Sequence, residues 1–371
     1  MNSAKSVLTY RIAFSSVKGI NRALALEILS RIDSEEEFFK LTERQLSTVM
    51  GFNNKIFASD YRAKLIEDAE KESGFIESNN IRPFYFTDDD YPCRLEECAD
   101  APLMLYGIGE CDMNEARIVG IVGTRHATPY GIDFTKRLVE DLHKKSDVPV
   151  VIVSGLAYGI DITAHRAALS CDCKTVAILA HGLNTIYPSS HRKTAIEIAR
   201  GGGMLLTDYR STASIHKGNF LARNRIVAGV CDCIVVVESA EKGGALVTAR
   251  LAGDYDREVL ALPGRITDKY SAGCNKLISK HQAHLLYDAD DLIDKMNWTK
   301  REEESSQQEL FPTLNPEEEN VLTYIRHHGE GQINRMTVDL NLNIGKLTGI
   351  LIELEFKGLI SSYPGAKYRP A

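Results

Sequence analysis

Three loops of this chain combine glycine with small polar or cationic residues: Gly123-Thr124-Arg125, Ser154-Gly155 and Lys242-Gly243-Gly244. Such loops bind anions, because backbone amides at a helix start and a guanidinium can both be offered to phosphate oxygens. A fourth run, from His216 to Arg225, brings Lys217, Arg223 and Arg225 together with Phe220 and Asn224. Charge for a backbone and a flat face for a base are what an unpaired nucleic-acid strand requires. Arg125, Lys217, Arg223 and Arg225 are therefore expected to line one pocket, with Phe220 stacking on a base. Against each loop alone stands ordinary turn chemistry, since glycine after a strand is common; the case rests on their convergence.

Other chemistries fit less well. The run Gly120-Ile121-Val122-Gly123-Thr124-Arg125-His126 has neither the G-x-G-x-x-G spacing nor a following acidic ribose ligand, and no G-x-x-x-x-G-K-[ST] occurs anywhere. Ser154 lacks the leading glycine of a nucleophile elbow. Asp161 and His165 share a helical face and could hold a metal, yet an acid in a first turn more often serves its own helix. Cys171-Asp172-Cys173 and Cys231-Asp232-Cys233 each directly precede an apolar strand, which favours buried thiols over zinc. His181 and His191 bracket Tyr187-Pro188, and Asp208 follows a strand end; they either bind substrate or close a loop. No catalytic residue, metal or cofactor is expected.

The elements that would position these loops are legible from hydrophobic pattern. Apolar β-branched runs at 118–122, 150–154 and 173–180 alternate with helical spacing at 130–145 and 159–170. The alternation continues with helices at 189–200, 220–228, 244–253 and 271–280 and strands at 204–206, 233–238 and 258–262. Sustained strand–helix alternation predicts an α/β domain with a doubly wound, mostly parallel sheet over 81–292, its loops meeting at the carboxyl edge. Segments at 82–92 and 101–107 add a strand with a turn and a second, edge-lying strand.

Residues 1–80 are expected to form a small helical domain, helix-hairpin-helix-like or SAM-like; Ser15 to Asn21 could be a phosphate-approaching hairpin, but near-balanced charge favours a bundle that only packs on its neighbour. A polar linker over 293–315 leads to a C-terminal domain at 316–371, where three helices and a hairpin about Pro364-Gly365 predict a winged helix. Its third helix, Asn343 to Lys357, balances two lysines with two glutamates, so protein contact is preferred to duplex reading.

With 371 residues the chain exceeds the size of one ordinary core. A formal charge of −7 gives no bulk attraction for nucleic acid, although local basic pockets act independently of the total. Eight cysteines suit a reduced compartment, and no secretory or membrane-spanning run is present, so a cytoplasmic location is expected.

Taken in order, Val122-Gly123-Thr124-Arg125, Ser154 to Asp161 with His165, Gly182 to Pro188, Phe220 to Gly229, Gly243 to Ala249, Leu262-Pro263-Gly264 and Gly273 to Ile278 resemble the bacterial DNA-processing protein family, DprA or Smf. The resemblance spans roughly residues 80 to 285. It implies a Rossmann-like core that binds single-stranded DNA without ATP, forms a homodimer and loads a RecA-type recombinase in natural transformation or recombination. Single-strand-binding protein is a further implied partner, and Asn275 joins the implied DNA contacts. Tyr158 stands where members often carry arginine, and Lys242-Gly243-Gly244 where many have Ser-Gly-Ser. The alternative is a nucleotide N-glycosidase of the phosphoribohydrolase type, disfavoured because Gly243 to Thr248 lacks that family's glycine spacing and nearby glutamate.

Overall fold

The computed structural model describes residues 6–301, 314–363 and 365–370. The chain divides into two compact units, Met1–Arg301 and Glu302–Ala371. Of the expected linker, positions 302–313 lie outside the described residues, as does Pro364 of the C-terminal turn.

The first unit opens with α1 (Val7–Ser15), α2 (Arg22–Leu29), α3 (Glu35–Lys40), α4 (Glu43–Met50) and α5 (Ser59–Ser78). Polar caps start most of them: Ser6, Asn21, Ser34 and Thr42 each accept a backbone amide from the first turn. Then follow β1 (Arg82–Tyr85), α6 (Cys93–Glu96), β2 (Met104–Gly109), β3 (Arg117–Val122), α7 (Pro129–Lys145), β4 (Val150–Ser154), α8 (Ile160–Ser170), β5 (Lys174–Ile178), α9 (Arg192–Arg200) and β6 (Met204–Thr207). The unit ends with α10 (Lys217–Gly229), β7 (Cys233–Val236), α11 (Gly244–Asp254), β8 (Glu258–Ala261), α12 (Ala272–Ser279), β9 (His284–Leu285) and α13 (Ala289–Lys295).

The strands form one nine-stranded sheet in the order β1-β2-β6-β5-β4-β3-β7-β8-β9. From β6 to β9 all neighbours are parallel; β2 and β1 close one edge antiparallel. This is the mixed α/β architecture with a large, mostly parallel sheet expected from the alternation. Successive residues of a strand feed opposite faces. Ile118, Val151, Val153, Val176 and Ile234 enter one core, while Val119, Ile121, Val150, Ile152 and Val235 enter the other.

The first of these cores is continuous with the N-terminal helices, joining Ile12, Phe14, Ile28 and Phe38 to Tyr85, Leu105 and Ile118. Polar ties reinforce that contact. Arg11 pairs with Asp88 at 3.0 Å and Arg22 with Glu96 at 3.0 Å, while buried Glu72 accepts from the amide and hydroxyl of Ser211 at 2.8 and 2.6 Å. The five helices thus share one body with the sheet.

The second unit contains α14 (Pro316–His328), β10 (Gly331–Gln332), α15 (Ile333–Asp339), α16 (Ile344–Phe356), β11 (Ile360–Tyr363) and β12 (Lys367–Pro370). Its strands form an antiparallel sheet in the order β10-β12-β11. Val321, Ile325, Met336, Leu347, Leu351 and Leu354 make a separate core.

Candidate functional site

Strand order reverses at β3: β4, β5 and β6 lie to one side of it and β7, β8 and β9 to the other. In open α/β sheets a crevice forms at such a switch point, outside the carboxyl ends of the strands. Here the crevice is a cleft of about 440 Å³ between the loops after β3, β4, β7 and β8 and the flank of α10. A larger recess of about 1040 Å³, beside β1, β2 and β6, mixes Asp89, Asp90, Glu110, Asp112 and Glu115 with Arg82, Lys174 and Arg200 and has none of the glycine loops.

Gly123, Thr124, Arg125, Phe220, Arg223, Asn224, Gly243 and Gly244 all line the cleft. The Arg125 guanidinium lies 5.6 Å from the centre of the Phe220 ring, and Tyr187 packs on that ring at 5.6 Å. A cation and an aromatic face are thus held together at the rim, where a phosphate and its base would be adjacent.

The expected amide cradles are mostly spent inside the protein. The Thr124 amide donates to the Glu238 carbonyl at 2.7 Å, and the Gly155 amide to the Asp161 carboxylate at 3.2 Å. The start of α7 is closed by the buried Glu238 carboxylate, which accepts from the Thr128 amide at 2.9 Å and its hydroxyl at 2.5 Å. Asp161, in the first turn of α8, accepts from the amides of Gly155 and Ala157 in the loop that precedes the helix. A negative charge already stands where an incoming phosphate would gain most from these two helices.

Helix α11 differs. The N-cap of α11 is Gly243, whose own amide donates to the Ala240 carbonyl at 3.1 Å, and Gly243, Gly244 and Ala245 line the cleft. An uncapped helix start leaves amide donors and the positive end of the helix dipole for a ligand. Arg223 stands nearby as a second anion-attracting group. It is buried, its Nη1 donates to the Ile178 carbonyl at 2.9 Å, and its Nε has no hydrogen-bond partner among the described residues. The guanidinium lies against Gly155, where a Cβ would meet Nη1 at 1.7 Å and force the guanidinium to move. Burial pushes the Asp161 carboxyl up and the Arg223 guanidinium down, while the attraction between the two opposes both shifts.

The remaining expected residues are placed elsewhere. Ser154 is fully buried and its hydroxyl donates to the Ile121 carbonyl at 2.6 Å, so it holds β4 to β3. Lys217 and Lys242 are exposed but outside the residues that line the cleft. Arg225 turns to the other flank of α10, pairs with half-buried Asp208 and donates to the Asp100 carbonyl; the helical spacing of Arg223 and Arg225 separates them. Asn275 spends its amide on both backbone groups of Gly264, at 3.1 and 2.9 Å. The shared pocket expected for all four cations therefore keeps Arg125 and Arg223 and loses Lys217 and Arg225.

The histidines act in packing. His165 is buried against the Thr175 hydroxyl at 2.7 Å, and desolvation holds its imidazole down at about 3. His181 accepts from the Tyr187 amide at 3.1 Å and His191 binds the Leu156 carbonyl at 2.8 Å, closing their loop. Cleft residues not foreseen as contacts include His126, Lys269 and Tyr270. Their signal was present: Lys269-Tyr270 sets a cation beside an aromatic in the loop after a parallel strand, on the same edge as the glycine loops.

Comparison with known proteins matches residues 82–297 to the family model for DNA recombination-mediator protein A. Protein Smf of Synechocystis sp. is 29% identical, covering 99% of this chain and 99% of its own length. Among solved structures, DNA processing protein A from Streptococcus pneumoniae superposes with a TM-score of 0.64 at 30% identity, over 77% of this chain and 97% of that one. DNA processing protein A from Helicobacter pylori, described for its single-stranded DNA binding mode, gives a TM-score of 0.52 at 32% identity, over 58% of this chain and 95% of that one.

Proposed function

This chain belongs to the DNA recombination-mediator protein A family, and from that premise we propose that it binds single-stranded DNA without reading or cutting it and presents the strand to a RecA-type recombinase. The observation that carries the proposal is the uncapped start of α11 facing the same cleft as the Arg125–Phe220 pair. Phosphate is drawn by helix amides and guanidinium, and the ring takes an unpaired base. Neither group addresses a base edge, so affinity is nearly independent of sequence.

The strand remains intact. Among the residues lining the cleft the carboxylate is Asp161, and its oxygens are committed to the amides of Gly155 and Ala157, which leaves it a poor base. The N-glycosidase alternative gains no support, since Gly243 to Thr248 brings no carboxylate to the cleft.

We read the C-terminal unit as a winged helix that serves protein contact. Both lysines of its third helix region are engaged by acids of α14, Lys346 with Glu317 and Lys357 with Glu318. Homodimerisation in the cytoplasm, with two clefts gathering one strand, completes the proposal; single-strand-binding protein is the partner displaced during loading, in natural transformation or in general recombination.

The test is an equilibrium titration of labelled single-stranded and duplex oligonucleotides over a range of salt. The single strand is expected to bind more tightly, and Arg125→Ala to reduce the slope of log K against log salt by roughly 0.7 for the lost phosphate contact. Equal affinity for duplex together with an unchanged slope would reject the proposal.

A further inference from the structure

The loop after β8 brings a second cation–aromatic pair to the cleft. Tyr270 and His126 lie nearly parallel, ring centres 6.0 Å apart at 23°, and the Lys269 ammonium is 5.4 Å from the Tyr270 ring centre. Both feet of the loop are fixed. At one end Asn275 binds both backbone groups of Gly264, and the Tyr130 hydroxyl donates to the Pro263 carbonyl at 2.9 Å. At the other the Ser239 amide donates to the Tyr270 carbonyl at 2.6 Å, tying the ring's backbone to the loop that precedes α11.

Beyond Tyr270 the surface continues as a track. Arg265 and Lys269 are exposed and have no ion pair among the described residues. Tyr130, about half exposed at 49%, borders a hollow of about 520 Å³ with Pro263, Gly264, Arg265 and Asp268. Asp268 is the acid of this stretch and offsets one of the two cations. Flat faces alternating with cations fit a single strand and not a duplex, whose base faces are already stacked.

We propose that Arg265 to Tyr270 is a second DNA-binding wall, in which Tyr270, backed by His126, stacks on an unpaired base while Lys269 and Arg265 hold the phosphates leaving the cleft. The assignment rests on the single-strand reading above. It makes the site longer than the cleft itself and divides its stacking between Phe220 and Tyr270.

The test measures binding of full-length protein to a labelled 20-nucleotide oligo(dT) and to the same length carrying an abasic run. Tyr270→Ala should weaken oligo(dT) binding roughly 5- to 100-fold, Tyr270→Phe should restore it, and the loss should shrink on the abasic strand. Lys269→Ala with Arg265→Ala, both at exposed positions, should lower the salt slope by roughly 1.4 for two phosphates. If Phe220→Ala weakens binding while Tyr270→Ala and the double variant both match the wild type, the second wall is overturned and the parent reading stands. If the wild type binds no single strand at all, the parent reading fails and takes this assignment with it.

Discussion

At the scale of single residues, most polar groups near the sheet edge are committed to the fold, and two side chains stand out as available. Phe220 is half-buried on the first turns of α10, gripped by Tyr187 on one side and Arg125 on another. Phe220→Ala should cost roughly 1 to 3 kcal/mol of binding, as one stacked base does. Phe220→Leu separates the roles: thermal melting close to wild type with binding still impaired marks stacking, whereas recovery of both marks a packing side chain. Arg223 is the other. Gly155→Ala would drive a methyl into its guanidinium, so that variant should lose DNA affinity by displacing Arg223 from the cleft, as read by the same titration. His165 predicts a pH dependence of stability. Its folded value is depressed to about 3 from an ordinary 6.5, so the imidazole is neutral in the fold and takes up a proton on unfolding. Stability is therefore fully present above about 6.5 and is lost as pH falls toward 3, by up to about 1.4 kcal/mol per pH unit. Chemical denaturation from pH 7 to 4 should show this slope, and His165→Gln should flatten it.

At the scale of elements, the start of α11 decides the site. Position 244 has open space around it, with nothing within 4 Å of a built Cβ. Gly244→Asp should therefore fold, and a carboxylate in a first turn stabilises a helix by roughly 0.3 to 1 kcal/mol. The same carboxylate occupies the place of a phosphate. The variant should melt higher than wild type yet bind single strands more weakly, with Gly244→Ala as the control that keeps affinity; a parallel change in stability and affinity would count against the anion site. The helices and strands that build this arrangement could be read from periodicity, because β3, β4, β5 and β7 are buried runs with glycine or small residues after them. Which amides stay free could not. Glu238 closes α7 from 110 positions away in the chain, and Tyr270 meets His126 only through the fold. Hydrogen-bond destinations of loops are settled by such tertiary neighbours, and local pattern carries no trace of them. The separation of Arg223 from Arg225 is an intermediate case: helical geometry already turns residues two apart toward different sides, but only packing says which side is the cleft.

At the scale of the whole molecule, residues 1–301 behave as one body because Phe14, Ile28 and Phe38 share a core with the sheet. Removing the first 80 residues should expose Tyr85 and Leu105 and yield poorly soluble protein, whereas a chain ending at Arg301 should bind single strands with unchanged affinity and salt slope. Size-exclusion chromatography and titration of the two truncations check both outcomes. On the proposed reading the second unit serves partner contact, and its removal is expected to spare loading of a recombinase onto naked DNA. The measurement closest to the central claim is photo-crosslinking of a 5-iodouracil-substituted single strand to the full-length protein, followed by peptide mapping. Adducts in the peptide carrying Phe220, depleted by Arg125→Ala, with none in 314–370, are the predicted result. Adducts confined to the C-terminal unit, or to the recess lined by Arg82, Lys174 and Arg200, would contradict it.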